Sequence, residues 1–420
     1  MMMMMMPTAM MLEAPEKQFA NEGESRSDSG TSGKVVFLTG VGGFIGSHTA
    51  EVLLERGDKV VGIDEMNDYY DVAIKRANIE LLRRKAAEVA ARDTSGETSH
   101  EDLFVFAEAD ICERELVKSL FDEHNVTHVC HLAARAGVRP SIEDPFIYIH
   151  SNIVGTVSLM SIAAEHGVQN FVYASSSSVY GGSKKQVFAE SDRVDNQVSQ
   201  YAATKKSCEL FAATYHSLYG LQSTGLRFFT VYGPRGRPDM APYKFMNRIF
   251  NGITLQQYGD GSSARDYTYI SDIVNGVVLA IDKPLGCEVV NLGKGNTCKL
   301  KEFISTIERL CGRKAKIEIL PDQPGDVPYT CADTTKAAEL LGYKPKVQLE
   351  EGLTKTVAWF RQYEESKKSR KERDDDGVLA EVDDSEESKD DVASRDGEWK
   401  EDSDPISHVE TPKAAPSLKA

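Results

Sequence analysis

The sequence has few features of a metalloprotein or a disulfide-bonded protein. Its seven cysteines are scattered, with no Cys-x-x-Cys pair and no histidines at the spacing of a zinc site. They are predicted to be reduced thiols, and no metal site is expected. The chain also lacks an apolar run of about 18 residues, the length that crosses a bilayer. Residues 1–33 lack the basic and apolar stretches of a signal peptide, so a cytoplasmic location is expected.

Positive charge is scarce. The chain has 49 Lys and Arg against 65 Asp and Glu, a net charge of −16. Nucleic acids and anionic membranes bind to basic surfaces, so neither is an expected partner. With 420 residues, 41% hydrophobic and 27% charged, the chain has the composition of a globular protein with one large core or two smaller ones.

Three closely spaced glycines follow the first apolar run. Gly40 permits a sharp turn, Gly43 lets the backbone approach a pyrophosphate, and Gly46 lets the next helix pack close to the strand. A second predicted strand, 59–63, ends at Asp64, where an acid can accept hydrogen bonds from an adenosine ribose. This pattern predicts a dinucleotide site at the N-terminus of a helix.

Asp64 also indicates which dinucleotide binds. Its carboxylate would repel a 2′-phosphate, and the next residues, Glu65, Met66 and Asn67, offer no cation to neutralise one. The prediction is therefore NAD rather than NADP.

Strand and helix patterns alternate from residue 34 to about residue 230. This alternation predicts an α/β fold with a doubly wound parallel sheet of the Rossmann type, and 34–230 is its predicted NAD-binding domain. From 231 to 363 the elements are shorter and interrupted by Pro and Gly, which predicts a smaller mixed α/β part that binds substrate. The polar residues 1–33 and the acidic residues 364–420 are predicted to be disordered.

Two segments carry candidate catalytic residues. Ser175–Ser178 follows the fifth predicted strand, at the edge where open α/β sheets hold ligands. Tyr201 and Lys205 lie one turn apart on a predicted helix, 199–219. A phenol acts as a base only when deprotonated near neutral pH, which Lys205 and a nicotinamide cation would favour. Ser176 could share the proton of the reacting hydroxyl. By themselves, such a Tyr–Lys pair and a serine-rich turn are also common surface features.

Several motifs in register resemble the extended short-chain dehydrogenase/reductase family, in the branch that acts on nucleotide sugars. They are Thr39–Gly46, His131–Ala134, Ser175–Gly181, Tyr201–Lys205 and Arg265–Ile270. Three further segments, 67–71, 136–141 and 229–241, resemble members that epimerise UDP-glucuronate at C4. The resemblance covers about residues 34–360. It implies an NAD-dependent isomerase that forms UDP-galacturonate through a transient 4-keto sugar.

The resemblance also implies roles for individual residues. Tyr201 would be the base, Lys205 would hold the nicotinamide ribose, and Ser176 would complete the proton relay. The implied NAD contacts are Gly40, Gly43, Phe44, Ile45, Gly46, Asp64, Asp110, Ile111, Leu132, Ala133, Ala134, Tyr201 and Lys205. The implied UDP-sugar contacts are Arg139, Ser177, Ser178, Thr230, Arg237, Arg265 and Asp326.

The implied arrangement of the substrate assigns three of these residues more closely. Arg265 would pair with the diphosphate, with Arg237 as a helper, and Asp326 would bind the uridine ribose. The resemblance further implies a homodimer that packs through helices within about 141–166 and 199–219.

Other activities compete with epimerisation of UDP-glucuronate. By this resemblance, related dehydratases carry Thr-Asp-Glu at the positions of Ser176, Ser177 and Ser178, and UDP-glucuronate decarboxylases place a glutamate near Ser178. This chain has serines instead of these acids, which disfavours both the dehydratase and the decarboxylase activity. A UDP-glucose or UDP-N-acetylglucosamine 4-epimerase is the nearest rival, and it typically has asparagine at Thr230. The hydroxyls of Ser177, Ser178 and Thr230 can donate to a carboxylate without repelling it. A protein that binds dinucleotide without turnover is disfavoured by Tyr201, Lys205 and Ser176.

Overall fold

Strands and helices alternate through most of the chain. The structure is a computed structural model that describes residues 33–92, 99–321 and 327–380. Its strands are β1 (Val35–Thr39), β2 (Lys59–Asp64), β3 (Phe104–Glu108), β4 (His128–His131), β5 (Asn170–Ser176), β6 (Ser223–Phe228), β7 (Thr230–Tyr232), β8 (Leu255–Tyr258), β9 (Ala264–Arg265), β10 (Tyr267–Tyr269), β11 (Cys287–Leu292), β12 (Cys298–Lys299), β13 (Ile317–Leu320) and β14 (Tyr329–Thr330).

The α-helices follow the same order. They are α1 (Phe44–Glu55), α2 (Val72–Ala90), α3 (His100–Leu103), α4 (Arg114–His124), α5 (Pro140–Glu143), α6 (Pro145–Tyr148), α7 (Gly155–Glu165), α8 (Gln200–Tyr219), α9 (Ala241–Asn251), α10 (Ile270–Asp282), α11 (Leu300–Cys311), α12 (Thr335–Leu341) and α13 (Leu349–Ala380). A π-helical segment, Ile149–Val154, joins α6 to α7, and a 3₁₀ turn, Ser177–Tyr180, follows β5.

A seven-stranded sheet forms the centre of the described residues, in the order β11-β6-β5-β4-β1-β2-β3. All neighbouring strands in it are parallel. Successive residues of β1 point to opposite faces, so Val36 and Leu38 join one core cluster and Phe37 joins the other. The first cluster contains residues of α1, α2 and α10, and the second contains residues of α4, α7 and α8. The predicted doubly wound α/β fold is confirmed.

The C-terminal part of the chain completes this sheet as well as forming smaller ones. The strand β11 lies within the predicted substrate part, 231–363, yet it pairs with β6 along its whole length. Small sheets form from β7 with β10, from β8 with β13, and from β9 with β12 and β14. The described residues up to Tyr363 make one compact unit. Residue 230 is therefore not a break between separate bodies, because β6 needs β11 to cover its edge.

The helix α13 runs to Ala380, beyond the point where the sequence predicts disorder. That prediction is wrong for residues 364–380. Acidic residues 364 and 365 lie three or four positions before a basic residue, 367 or 368. Each such pair stabilises a helix by roughly 0.2–0.5 kcal/mol. Residues 1–32 and 381–420 lie outside the described residues, so disorder there stays a prediction.

One helical stretch is more apolar than the sequence analysis expected. Pro145–Glu165, 21 residues long, has the length and hydropathy of a membrane-crossing helix, but half of it is buried inside the fold. Within it, α7 packs against α4 and α8. One face of the stretch is apolar because it lies in the core. The other apolar residues, Phe146, Ile149 and Val154, are exposed on its surface.

Candidate active site

A cavity of about 400 Å³ lies at the carboxyl ends of the central strands. It is lined by most of the predicted site residues: Gly40, Gly43, Phe44, Ile45, Gly46, Asp64, Asp110, Ile111, Leu132, Ala133, Ala134, Ser176, Ser177, Ser178, Tyr201, Lys205, Thr230 and Arg237. The fold thus brings together all the predicted cofactor and catalytic residues and four of the predicted substrate residues.

Three predicted substrate residues are not placed in this cavity. Arg139 is exposed, and its guanidinium lies 4.6 Å from the centre of the Tyr258 ring. Arg265 lies in β9, where its Nη1 donates to the carbonyl oxygen of Ala264 at 3.0 Å. Asp326 lies outside the described residues. Their contacts with a UDP-sugar remain predictions.

The glycine turn forms a cradle that side chains would fill. Gly40 has φ of +71°, and a Cβ there would lie 2.8 Å from the backbone nitrogen of Ala133. A Cβ on Gly46 would lie 2.1 Å from the carbonyl oxygen of Gly40. Gly43 is the N-cap of α1 and provides no capping side chain. The first backbone N–H groups of α1 are therefore positioned to bind the pyrophosphate of a dinucleotide.

Asp64 is held by a cation that the sequence analysis missed. Its Oδ2 accepts a hydrogen bond from the Gly42 nitrogen at 3.1 Å. Its Oδ1 accepts from the Met66 nitrogen at 3.0 Å and from Nζ of Lys75 at 3.1 Å. Lys75 is buried on α2 and lines the cavity. The three residues after Asp64 provide no cation, as predicted, but Lys75 on α2 places one on its carboxylate.

The catalytic residues are fixed by local backbone structure. Ser199 caps α8 by accepting from the Ala202 nitrogen at 3.1 Å, which places Tyr201 in the first turn and Lys205 one turn later. Nζ of buried Lys205 donates to the carbonyl oxygen of Ala174 at 2.9 Å. Ser176 Oγ accepts from the Ser178 nitrogen at 3.1 Å and so caps the 3₁₀ turn. These contacts hold a phenol, an ammonium and a hydroxyl beside one cavity, as an acid–base relay requires.

A neutral histidine joins the strands and the helix next to the cavity. The His131 ring lies between two hydroxyls, with Nδ1 2.7 Å from Thr39 Oγ1 and Nε2 2.9 Å from Thr156 Oγ1. Thr39 Oγ1 also accepts from the Ala133 nitrogen at 3.0 Å. Complete burial and the nearby charge of Lys205 lower the pKa of His131 to about 3. The ring therefore links β1, β4 and α7 without carrying charge.

This histidine should make the protein less stable in mild acid. Its pKa is about 3 when folded against 6.5 for the free side chain, so below pH 6.5 the unfolded state binds the extra proton. The stability that neutral His131 contributes is fully present above that pH. It falls by roughly 1.4 kcal/mol for each pH unit below it. We expect the free energy of unfolding to fall between pH 6.5 and 5, with a shallower slope in His131→Asn. Equal slopes in urea titrations of the two proteins would contradict this assignment.

A buried ion pair behind the serine turn was also missed. Glu209 Oε1 accepts from Ser175 Oγ at 2.7 Å and from Arg227 Nε at 2.8 Å, and Oε2 accepts from Arg227 Nη2 at 2.8 Å. Arg227 Nη1 donates to the Tyr180 hydroxyl at 3.0 Å. Burial would raise the pKa of Glu209, but the hydrogen bonds and charge of Arg227 hold it below its ordinary value. Its position one turn after Lys205 on the same face of α8 was the available signal.

Arg237 lies with the catalytic residues. It lines the cavity together with Tyr201 and Thr230. Its guanidinium donates to Asp239, from Nε to Oδ1 at 3.0 Å and from Nη2 to Oδ2 at 2.5 Å, and it lies 5.5 Å from the centre of the Tyr69 ring. This part of the cavity therefore contains a cation together with hydroxyl donors.

Comparison with known proteins gives a consistent result. Residues 37–356 match the family model described as GDP-mannose 4,6 dehydratase. The UDP-glucuronate 4-epimerase of Thermodesulfobacterium geofontis is 43% identical over 335 residues, which are 80% of this chain and 98% of that protein. UDP-glucuronate 4-epimerase 4 of Arabidopsis thaliana is 41% identical over 366 residues, covering 83% of this chain and 80% of that protein.

Solved structures share the same architecture. The UDP-glucuronic acid 4-epimerase of Bacillus cereus, in complex with UDP-glucuronic acid and NAD, matches with a TM-score of 0.71 and 33% identity, covering 78% of this chain and 99% of that one. A UDP-glucose 4-epimerase of Thermotoga maritima with UDP-glucose matches with a TM-score of 0.69 and 30% identity, covering 78% of this chain and 99% of that one.

Proposed function

The chain belongs to the NAD-dependent epimerase/dehydratase family, and from this membership we propose that it is an isomerase that converts UDP-glucuronate to UDP-galacturonate by inverting C4. The observation that carries the proposal is the convergence of Tyr201, Lys205 and Ser176 on a cavity built around the glycine turn. The identity to UDP-glucuronate 4-epimerases along most of the chain supports the same substrate.

The residues present fit NAD as the cofactor. A Cβ on Gly40 or Gly46 would collide with backbone, the α1 N-terminus offers its N–H groups, and Asp64 provides the acceptor for a ribose. When bound, NAD supplies a hydride acceptor that later returns the hydride. Tyr201 removes the proton of the sugar 4-hydroxyl, Ser176 shares that proton, and the ammonium of Lys205 lies beside the same cavity. Inversion requires the keto sugar to present its other face before C4 regains a hydride, and Tyr201 would then return the proton to O4.

The sugar end of the cavity favours an acidic sugar. Ser177, Ser178 and Thr230 line it with hydroxyls, and Arg237, which is paired with Asp239, adds guanidinium N–H donors. Hydrogen bonds to a charged group contribute roughly 1.5–3 kcal/mol each, so several such donors can hold a carboxylate firmly. The Arg237–Asp239 pair keeps the guanidinium in place before the substrate arrives.

The proposed reaction can be tested by following the sugar protons by NMR. Purified protein incubated with UDP-glucuronate should produce the signals of UDP-galacturonate until equilibrium is reached. UDP-glucose and UDP-N-acetylglucosamine serve as neutral controls and should react far more slowly. A pentose product would identify a decarboxylase, faster reaction of a neutral sugar would identify the rival epimerase, and the absence of any reaction would contradict the proposal.

Thr230 should protect the intermediate from losing carbon dioxide. Oxidation at C4 places the carboxylate β to a carbonyl, and such acids decarboxylate when the C5–C6 bond aligns with the carbonyl π system. We propose that Thr230, with Ser177 and Ser178, holds that bond out of alignment. In the same NMR assay, Thr230→Ala should raise the ratio of UDP-4-keto-pentose to UDP-galacturonate, while Thr230→Ser should resemble wild type. A slower alanine variant that releases no carbon dioxide would place the carboxylate on other residues.

We also propose that the protein is a homodimer. Phe146 is 78% exposed on α6, and Leu210 and Leu218 are 59% and 66% exposed on α8. The helices α6 and α8 pack together, and exposed apolar side chains on neighbouring helices are typical of an interface. Light scattering should give twice the mass of the chain, and Phe146→Asp combined with Leu210→Asp should give the monomer mass. A wild-type monomer would contradict the proposal.

The cytoplasm is the proposed location. All seven cysteines are free thiols, and three of them are buried. Thiols persist in a reducing compartment. Fractionation of cells that contain the full chain should find it with the cytoplasmic proteins, and recovery from a secreted or membrane fraction would contradict this proposal.

A further inference from the structure

An ion pair lies across the cofactor cavity. Nη2 of Arg135 is 3.2 Å from Oε1 of Glu65, and the two side chains are only 16% and 31% exposed. Both residues line the same cavity as Gly40 and Gly43. Neither has a role in the acid–base relay or in the glycine cradle.

The topology of the sheet makes this contact a bridge. Glu65 directly follows β2, and Arg135 follows β4 by four residues. The strand β1, which leads into the glycine turn, lies between β2 and β4. Two strand spacings separate the loops, about 10 Å. The ion pair therefore closes a ring of protein around the space in front of the glycine turn.

Both ends of the bridge are held in position. The backbone nitrogen of Arg135 donates to Asn152 Oδ1 at 2.8 Å, and Asn152 Nδ2 donates to the backbone carbonyl oxygen of Arg135 at 2.9 Å. Asn152 is fully buried in the π-helical segment and also donates to Thr204 on α8 at 3.0 Å. On the other side, Asn67 donates to Glu65 and accepts from Lys75 at 3.2 Å. Because both partners are pre-positioned, little conformational entropy is lost when they pair.

One hydrogen-bond donor of Arg135 is unpaired within the described residues. Within the described part of the chain, its Nε is buried and has no hydrogen-bond partner. A buried donor without an acceptor destabilises the site. An acceptor on a bound dinucleotide would satisfy it.

We propose that Arg135 and Glu65 form a clasp that retains NAD and NADH in the cavity between the two hydride transfers. The purpose of the clasp rests on the proposed function, because an epimerase that lost NADH after the first transfer would leave a 4-keto sugar that it could not reduce. The ring must open for the dinucleotide to leave, and opening it breaks a partly buried charge-assisted contact. Arg135 and Glu65 thus act on cofactor release and not on proton transfer.

The clasp is tested by the rate at which bound NAD leaves. Holoenzyme is diluted into an excess of isotopically labelled NAD, without sugar, and exchange is followed by mass spectrometry. Arg135→Gln and Glu65→Gln should each release NAD about tenfold faster, the change expected for roughly 1.4 kcal/mol. Because Arg135→Gln also removes the Nε donor, the double variant should be no faster than Arg135→Gln alone. Arg193→Gln, which breaks the exposed pair with Asp195, is the matched control and should release NAD like wild type.

Exchanging the charges provides a rescue. A protein with both Glu65→Arg and Arg135→Glu should release NAD more slowly than Arg135→Gln, which also lacks the Nε donor. Unchanged release in the single variants, additive effects in the double variant, or equal acceleration by Arg193→Gln would overturn the clasp. Because no sugar is present, this result is independent of the NMR test of the reaction. Faster NAD release in a protein that does not epimerise UDP-glucuronate would leave the clasp standing and remove only the proposed substrate.

Discussion

The Tyr201→Phe variant is expected to turn over UDP-glucuronate roughly 10²–10⁴-fold more slowly than wild type, the range for loss of a general base. The substitution removes only the hydroxyl, while Ser199 still caps α8 and Lys205 still binds the Ala174 carbonyl oxygen. NAD should stay bound, because the glycine cradle does not involve this hydroxyl. Initial rates by NMR and the NAD content of the purified protein measure the two effects separately.

Tyr215→Phe is a matched control for this experiment. Tyr215 lies on the same helix, but its hydroxyl is 3.4 Å from the Val157 carbonyl oxygen, and the residue does not line the cavity. We expect this variant to keep wild-type turnover. If Tyr201→Phe also kept it, Tyr201 would not be the base.

The largest expected effect on stability follows from Glu209→Ala. This change leaves the guanidinium of Arg227, only 2% exposed, without its carboxylate partner. Removing one member of a buried ion pair typically costs about 3–5 kcal/mol. Denaturant unfolding of the NAD-saturated protein should show a loss of that size. Turnover should fall as well, because Glu209 also accepts from Ser175, the neighbour of Ser176.

Two further variants separate charge from packing at this position. Lys206 also pairs with Glu209 but is 25% exposed, so Lys206→Ala should cost only about 1 kcal/mol or less. Combining Glu209→Leu with Arg227→Met removes both charges and should recover much of the stability lost in the single variant. If Glu209→Ala cost no more than Lys206→Ala, the buried pair would not stabilise the fold.

The parts of the site that were predicted from the sequence depend on local pattern. The glycine spacing determines a turn within a few residues, and Tyr201 and Lys205 share a helix, so neither required knowledge of tertiary contacts. The apolar strands likewise identified the parallel sheet. The role of β11 was not predicted, because a strand pattern does not specify which edge the strand will join.

The residues that were missed act through contacts between distant segments. Lys75 reaches Asp64 only because α2 packs against β3, the neighbour of β2 in the sheet. Arg135 meets Glu65, 70 positions away, only because β4 and β2 flank β1. The π-helical segment that carries Asn152 also has no distinct periodicity in the sequence. Charged side chains in such places resemble ordinary surface residues until the fold is known.

The late position of β11 affects how the nascent chain emerges from the ribosome. Phe228 ends β6 and Cys287 begins β11, so roughly 60 residues must be translated in between, which takes about 3–12 s at 5–20 residues per second. During that time β6 is an unprotected edge strand, able to pair with other nascent chains on the same polysome. Slower translation across this interval would lengthen that exposure, and a fragment that ends before Cys287 should collect in inclusion bodies.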